Sequence, residues 1–594
     1  MECQQILRQY WGYADFRGIQ KDIIESIFAG RDTLGLMPTG GGKSITFQVP
    51  ALALDGVCIV ITPLIALMKD QVDHLQKLGI KAASIYSGMT RPEIIKVLEN
   101  AIFGGVKILY VSPERLSSEL FLAKLKHMKV SFITVDEAHC ISQWGYDFRP
   151  SYLHISDIRK QKPDVAILAL TATATPEVID DIQARLGFKE RNVFRMSFER
   201  KNLTYVVRLT SDKDQQLIHI LNSVKGCAIV YVRSRKRTKE IAQMLKDNHI
   251  EATYYHAGLE HYTKDLRQKE WQNDETRVMV ATNAFGMGID KPNVRIVVHI
   301  DCPDSIEAYF QEAGRAGRDG KRAYAVLLYN EGDSRKLHKR ITDNFPEKEY
   351  IRKVYESLAY FYQIGVGSGI GHTFAFDLGK FCHNFGLSMI LVDSSLRILE
   401  RAGYIVYEND PKSSAKLMFL LSRNQLYILE NLTTNEDKII TTLLRLYGGL
   451  FNDYTYIDEG LIAQKSGLTP EQVYLILKNL SMKRILHFIP QRKMPYISYT
   501  KSRDDGERII ISNNVYEDRK LEFEKRIGAI IGYAQNDSVC RSRQLLRYFG
   551  ETNSNDCGLC DVCLEHNTDQ ASEDRISLPK QRIQELLKDG KKHH

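Results

Sequence analysis

Eight residues near the N-terminus, Met37-Pro38-Thr39-Gly40-Gly41-Gly42-Lys43-Ser44, constrain the fold of this chain more than any other segment. They follow an apolar stretch and precede a helical one, which predicts a strand, a glycine-rich turn and a helix whose first N–H groups wrap a polyphosphate. Gly40, Gly41 and Gly42 allow positive φ and close approach of the backbone to phosphate oxygens. Lys43 can reach the β and γ phosphates, and the Ser44 hydroxyl can hold Mg²⁺. Met37 stands where the simplest pattern has its first glycine, so the second half of a nucleotide site has to be found independently.

That half lies about ninety residues on, where Ser131-Phe132-Ile133-Thr134-Val135 reads as a buried strand ending in Asp136-Glu137-Ala138-His139. Side chains alternate along a strand. Asp136 can therefore enter a metal's coordination shell while Glu137 turns to orient and deprotonate an attacking water. Acidic turn residues often end an apolar strand. Paired with Lys43 and Ser44, however, the two carboxylates point to ATP hydrolysis.

The 594 residues are too many for one core, and a chain of 26% charged and 43% hydrophobic residues excludes disordered and membrane classes. The longest apolar run, Gly56 to Met68, is interrupted by Thr62 and Pro63 and is too short to span a bilayer. No basic patch followed by an apolar core opens the sequence, which reads as an intracellular protein. A net charge of +8 permits nucleic-acid binding and is equally compatible with mere solubility. Six of the ten cysteines are scattered singly, which argues against a disulfide framework.

Between about residues 30 and 190, β-branched runs such as Val57 to Ile61 and Lys107 to Val111 alternate with helical stretches, the pattern of a parallel sheet. A second block of the same kind starts near Ser197, after a polar and basic linker at Phe194 to Leu203. It carries Tyr309-Phe310-Gln311-Glu312-Ala313-Gly314-Arg315-Ala316-Gly317-Arg318, read as a helix start that places Arg315 and Arg318 on one face. Arginines from a facing domain can neutralise the charge that builds on a γ-phosphate, which ties domain closure to hydrolysis. A solvated basic helix face is the plainer alternative.

These motifs resemble those of superfamily 2 helicases, and specifically of the RecQ family of DNA helicases, almost continuously from residue 6 to about 330. The resemblance implies two RecA-like parallel-sheet motor domains, placed at 1–196 and 197–342. Trp11 to Gln20 resembles the family's adenine-reading segment, with Gln20 on the adenine edge, Arg17 supporting it and Tyr13 stacking on the base. Cys140 to Pro150 resembles the aromatic-rich loop of RecQ enzymes, in which Trp144, Tyr146 and Phe148 can stack bases of single-stranded DNA while Arg149 meets phosphate. Packing between domains is the structural alternative for such a loop. The family usually has His where this chain has Tyr146.

Further resemblances are Thr62 to Gln71, Ser112 to Arg115, Thr171 to Ala174, Tyr255 to Leu259 and Ala281 to Lys291. They imply that Arg115, His256 and Thr282 contact DNA, and that Gly288 and Asp290 belong to the nucleotide site. The resemblance also implies ATP and Mg²⁺, with Ser44 and Asp136 as magnesium ligands. The implied activity is an ATP-dependent helicase moving 3′ to 5′ on single-stranded and branched duplex DNA in recombination and repair, in the cytoplasm with the nucleoid. A single-strand-binding protein or recombination factors are the protein partners the family suggests.

Late in the chain Cys540, Cys557, Cys560 and Cys563 form C-x₁₆-C-x₂-C-x₂-C, a spacing that can close four thiolates around Zn²⁺. An iron–sulfur cluster is the rival, and brown colour would reveal it. The site falls in a predicted helical hairpin, Glu522 to Tyr533 and Arg541 to Phe549, placed in a domain at 517–568 ahead of a tail at 569–594. It resembles the RecQ zinc module, which in the family directly follows the second motor domain.

Here nearly two hundred residues intervene, and they contain an internal repeat: residues 377–405 align with 458–486 at a shift of 81. Gly386 pairs with Gly467, Val392 with Val473, Leu396 with Leu477 and Leu399 with Leu480. Each copy reads helix, turn, longer helix, then strands, so we expect two consecutive winged-helix-like α+β repeats at 345–430 and 432–515. Such modules contact either DNA or protein. The 31 residues after Cys563 are too few for the trailing winged helix in which the family usually carries its strand-separating pin, and whether another hairpin, such as Pro490 to Thr500, does that job stays open. An RNA-directed helicase and a non-unwinding DNA-binding adaptor or remodelling ATPase are the alternative functions.

Overall fold

The computed structural model describes residues 3–566 apart from 87–88, 90, 287–290, 409–414, 422–424, 427–431, 448–449, 452–454, 458 and 490–494. The chain forms two compact units. The first comprises the described residues up to 84, 104–337 and those from 524 on, the second 85–103 and 338–523. Among the described residues no helix is long and apolar enough to cross a membrane.

The first unit holds two sheets. In the first, β1 (Thr33–Leu36), β2 (Val57–Ile61), β3 (Ala82–Ile85), β4 (Ile108–Val111), β5 (Val130–Val135), β6 (Ile167–Thr171) and β7 (Val193–Arg195) run in the order β3-β4-β2-β5-β6-β1-β7. In the second, β8 (Leu203–Leu209), β9 (Cys227–Tyr231), β10 (Ala252–Tyr255), β11 (Val278–Ala281), β12 (Val294–His299) and β13 (Ala323–Tyr329) run in the order β10-β11-β9-β12-β13-β8. The central strands pair in parallel and are buried on both faces, which is why they are near-continuous runs of Val, Ile and Leu without polar alternation. Strand order reverses beside β1 in the first sheet and beside β9 in the second. In open parallel sheets, ligands gather at the carboxyl ends of the strands near such reversals.

The second unit bears out the repeat at residue level. Helices Leu378–Phe385 and Met389–Arg401 in one copy match Glu459–Ser466 and Pro470–Met482 in the other. Both inter-helix turns need a left-handed residue, and both use glycine, Gly386 at φ 62° and Gly467 at φ 66°. Val392, Leu396 and Leu399 fill the first core, and Val473, Leu477 and Leu480 the second.

The expectation of consecutive repeats is corrected: the second copy is nested inside the first. β19 (Tyr496–Tyr499), which follows the second copy, lies antiparallel between β14 (Thr373–Ala375) and β15 (Ile405–Glu408) of the first. β16 (Lys416–Phe419), which follows the first copy, pairs with β17 (Thr455–Tyr456) and β18 (Leu486–Ile489) of the second. The physical reason is core completion. Ile497, Tyr499, Ile509 and Ile511 bury with the first copy's residues, and Ala415, Leu417 and Phe419 with the second's. The hairpin candidate Pro490 to Thr500 fares accordingly: 490–494 fall outside the described residues, and 496–499 form a central strand flanked on both sides.

Candidate nucleotide and nucleic-acid site

β1 runs through a buried Met37, whose N–H continues the ladder to the Thr171 carbonyl at 3.1 Å, into the turn 38–44. Gly40 at φ 80° and Gly42 at φ 76° adopt backbone that other residues rarely take, and the helix Ile45–Ala53 starts directly afterwards. Its first N–H groups close back onto the turn, Ile45, Thr46 and Phe47 donating to the carbonyls of Gly42, Lys43 and Ser44 at 3.2, 3.1 and 3.3 Å, so the helix N-terminus is continuous with the glycine loop. Gln20 is buried against this turn. Its Nε2 donates to the Gly42 carbonyl at 3.0 Å and its Oε1 accepts from the Arg17 N–H at 2.8 Å. The Arg17 guanidinium lies 5.3 Å from the centre of the exposed Tyr13 ring, so the three adenine-segment residues form one cluster beside the glycine loop.

At the end of β5 the Lys43 ammonium stands 3.9 Å from Glu137 Oε1. Glu137 takes a left-handed backbone, φ 47° and ψ 47°, a conformation that costs a non-glycine residue about 1–3 kcal/mol and that turns its carboxylate into the cleft. Burial pulls the Glu137 carboxyl up, but Lys43, His139, Arg315 and Arg149 outweigh it and hold it below the usual carboxylate range. Asp136 moves the other way, raised by burial and by the neighbouring Glu137 charge. Two carboxylates with one destabilised as an anion suit a divalent cation, and Ser44 and Asp136 offer it oxygen ligands. His139, from the same turn, lies 2.9 Å from Thr171 Oγ1 at the end of β6.

The arginine motif reaches this cleft from the second sheet. The helix Ile306–Ala313 ends before Arg315, so the expectation that the arginines open a helix is corrected. They lie in the turns beyond its end, where Gly317 at φ 64° cannot carry a side chain without striking Asn202 and Ala323. Arg315, only 4% exposed, donates to the Gly286 carbonyl. Arg318 lies against the phosphate loop, its Cγ 3.6 Å from where a Cβ on Gly40 would sit, and a Cβ on Gly314 would sit 2.8 Å from Thr39 Oγ1. Linker residue Arg200 fastens the two sides. Its guanidinium donates to the carbonyls of Thr39 and Gly314 at 3.3 and 3.2 Å and of Ala316 and Gly317 at 2.9 and 3.1 Å.

The aromatic-rich loop leaves directly from His139. Tyr146 stacks on the His139 ring at 4.9 Å and donates to Gln311 Oε1, on the arginine-motif helix, at 2.8 Å. Trp144 is 39% exposed and Phe148 half-buried. Arg149 pairs with Asp147 Oδ2 at 3.0 Å, so meeting a phosphate requires it to exchange that partner. Arg115 is half-buried in the turn Pro113–Arg115 after β4. His256 and Thr282 are neighbours at the carboxyl ends of β10 and β11, and both are buried, His256 to 5%, with neither of its ring nitrogens hydrogen-bonded among the described residues. Gly288 and Asp290 lie outside the described residues.

Below the second sheet the helices Glu517–Gln535 and Arg541–Tyr548 bring Cys540, Cys557, Cys560 and Cys563 together, with all four sulfurs within 4.8 Å of one another. Backbone N–H groups aim at them: Cys557 N donates to Cys540 Sγ at 3.2 Å, Cys560 N to Cys557 Sγ at 3.4 Å and Arg541 N to Cys560 Sγ at 3.4 Å. Such donors stabilise thiolates, and four thiolates in this cluster fit Zn²⁺. The hairpin also grips the inter-lobe linker. Glu551 accepts from Ser197 Oγ at 2.8 Å and from the Phe198 N–H at 2.7 Å, and Phe549 packs on Phe198 and Phe310.

Family profiles match four stretches of the chain: DEAD/DEAH box helicase at residues 17–182, Helicase conserved C-terminal domain at 212–320, RecQ helicase winged-helix domain, Bacteroidota, at 417–490 and RecQ zinc-binding at 503–564. The "ATP-dependent DNA helicase RecQ" of Bacillus subtilis (strain 168) is 44% identical over 60% of this chain and 62% of its own length. The "Probable ATP-dependent DNA helicase RecS" of the same organism is 42% identical over 56% of this chain and 68% of its own length. The chain belongs to the RecQ family of DNA helicases. It spans 53–62% of the length of the RecQ proteins of B. subtilis, Haemophilus influenzae and Pasteurella multocida that it matches. The crystal structure of the DUF1998 helicase MrfA bound to DNA aligns with a TM-score of 0.48 at 18% identity, over 56% of this chain and 51% of that one.

Within this RecQ-family site, sequence reading missed Arg200 and Gln311. The basic linker composition was a signal for Arg200. Gln311 meets Tyr146, 165 residues away in sequence, and no local pattern marks that contact.

Proposed function

We propose that this protein is an ATP-dependent DNA helicase that moves 3′ to 5′ along single-stranded DNA and acts on branched duplexes in recombination and repair, in the cytoplasm with the nucleoid. The observation that carries the reading is the convergence of Lys43, Asp136 and Glu137 from one sheet with Arg315 and Arg318 from the other, in a cleft whose acidic turn continues into the aromatic-rich loop.

In this reading Tyr13, Arg17 and Gln20 hold the adenine, and the N–H groups of residues 39–44 cradle the phosphates. Ser44 and Asp136 would hold Mg²⁺, which would supply neutralisation of phosphate charge. Glu137 orients the attacking water and takes its proton; Lys43, Arg315 and Arg318 stabilise the charge spreading over the transferred phosphoryl oxygens. Arg200 keeps the two lobes in register around the nucleotide. Trp144 and Phe148 stack unpaired bases, and Arg149, Arg115, His256 and Thr282 meet the strand. Closing on ATP and opening after hydrolysis alternate the two grips and advance the strand.

The test is strand separation on forked, 3′-tailed and 5′-tailed duplexes, with DNA and RNA oligomers compared as stimulators of hydrolysis. Unwinding of 3′-tailed and forked substrates, with DNA the better stimulator, is expected. Preference for 5′ tails would overturn the polarity, and preference for RNA the substrate.

A further inference from the structure

Glu307 and Gln311 stand one turn apart on the helix Ile306–Ala313, and each meets the aromatic-rich loop by a different route. Gln311 receives the Tyr146 hydroxyl directly. Glu307, 4% exposed, is reached through the cysteine hairpin. Arg526, on the helix Glu517–Gln535, places Nε 3.8 Å from Glu307 Oε1 while its Nη2 donates to the backbone carbonyl of Trp144. Tyr548, on the hairpin's other helix, donates to the same Glu307 oxygen at 2.9 Å. Among the described residues Glu307 Oε2 has no hydrogen-bond partner, and this buried carboxylate forms an ion pair with Arg526.

One guanidinium thus spans three parts of the chain: the loop at the base-stacking Trp144, the helix leading into Arg315 and Arg318, and the hairpin that also holds the linker. Arginine suits this place because its rigid fork presents donors in two directions at once; the point charge of a lysine can serve one side only. Any displacement of the Trp144 backbone has to stretch or release a contact that Glu307 shares.

We infer that Arg526 is a positioning residue that transmits occupancy of the aromatic-rich loop by single-stranded DNA to the arginine motif. The inference rests on the function proposed above and deepens it: the coupling of strand binding to hydrolysis runs partly through the cysteine hairpin. Arg526 touches neither nucleotide nor reacting atoms.

The experiment measures basal and DNA-stimulated ATP hydrolysis of the full chain, with an oligo-dT strand as activator and its affinity followed by fluorescence anisotropy. Arg526→Ala should hold basal turnover and keep strand affinity within about twofold, yet lose about tenfold of the stimulated kcat, a size usual for coupling between sites. Arg526→Lys should recover part of the loss. Glu307→Gln, which preserves shape and the Tyr548 acceptor, should lower the stimulated kcat in the same direction and serves if Arg526→Ala does not fold. Full stimulation in Arg526→Ala or in Glu307→Gln overturns the inference. So does a loss of stimulation that only follows a loss of affinity. An unsubstituted protein that DNA does not stimulate at all would instead refute the proposed function.

Discussion

The Tyr146 hydroxyl donates to Gln311 Oε1 at 2.8 Å, joining the loop that begins at the acidic turn to the helix that leads into the arginine motif. The family usually has His at this loop position, yet the tyrosine both stacks on His139 and reaches across the cleft. Tyr146→Phe keeps the stack and removes the reach. The ratio of DNA-stimulated to unstimulated hydrolysis should fall about two- to tenfold, the worth of one net hydrogen bond. An unchanged ratio would leave the bridge without a role in coupling.

Lys43→Ala removes the ammonium that stands between the phosphate loop and Glu137. Turnover should drop by about 10²-fold or more, as expected for loss of a charge that stabilises a phosphoryl-transfer transition state. Strand binding, measured by anisotropy, should persist. Hydrolysis close to wild type would mean that the nucleotide sits elsewhere.

Arg200 supplies donors to four carbonyls on the two sides of the cleft, and Arg200→Ala leaves all four without this partner. The expected result is a kcat lowered about tenfold or more, in keeping with the sensitivity of positioned reactions to small misplacements. Steady-state kinetics check it. A pure rise in KM would place Arg200 in binding rather than in closure.

The four-sulfur cluster predicts about one zinc per chain by elemental analysis, iron being the failing outcome. Stripping the metal with a chelator, or Cys557→Ser, should lower the melting temperature, because structural zinc contributes to folding directly. Hydrolysis should weaken as well, since Glu551 and Phe549 of the same hairpin hold the linker at Ser197 and Phe198.

Glu436 opens the helix Thr434–Leu446 in a capping box with Thr433 and accepts from Asn479 at 2.9 Å and Lys483 at 2.7 Å. Burial raises its pKa, but Lys483 and the Thr433 cap more than offset that, and the carboxyl ends below its ordinary value of 4.5. A depressed native pKa means the stabilisation is complete above the unfolded-state value and disappears as pH falls through the native one. Glu436→Gln should therefore loosen the inner winged-helix module at neutral pH, seen as faster amide exchange in Pro470–Met482. The gap to wild type should begin to narrow as pH falls past the unfolded-state value of about 4.3 and close only once pH has fallen through the lower native one. A gap independent of pH would assign the effect to the cap alone.

The parts that were legible in the sequence are those whose chemistry sits on consecutive residues. The run 37–44, the pair Asp136-Glu137 and the cysteine spacing each carry their own geometry, because a turn or a strand end places neighbouring side chains together. The 81-residue repeat was readable for a related reason: a helix pair must bury the same ridge, here Val392, Leu396 and Leu399 against Val473, Leu477 and Leu480. The nesting was not readable, since Tyr496-Ile497-Ser498-Tyr499 is a sound strand for either sheet and only the finished cores select one. Contacts such as Arg526 with Trp144, 382 residues apart, leave no local trace. The placement of Arg315 and Arg318 was not readable because a three-residue spacing fits a helix face as well as the turns beyond Ala313 that carry them.

The inner winged helix enters and leaves through adjoining strands, with Lys416 opposite Ile489 and, on the host side, Glu408 opposite Tyr496. Directly opposed residues in such ladders lie about 5 Å apart. A guest whose entrance and exit share one doorway can be removed or exchanged and the gap closed by a tight turn, leaving its host intact. Growth of the chain from the ribosome also sets an order: the guest is complete before β19 emerges to close the host, so the outer module waits on the inner one each time the protein is made.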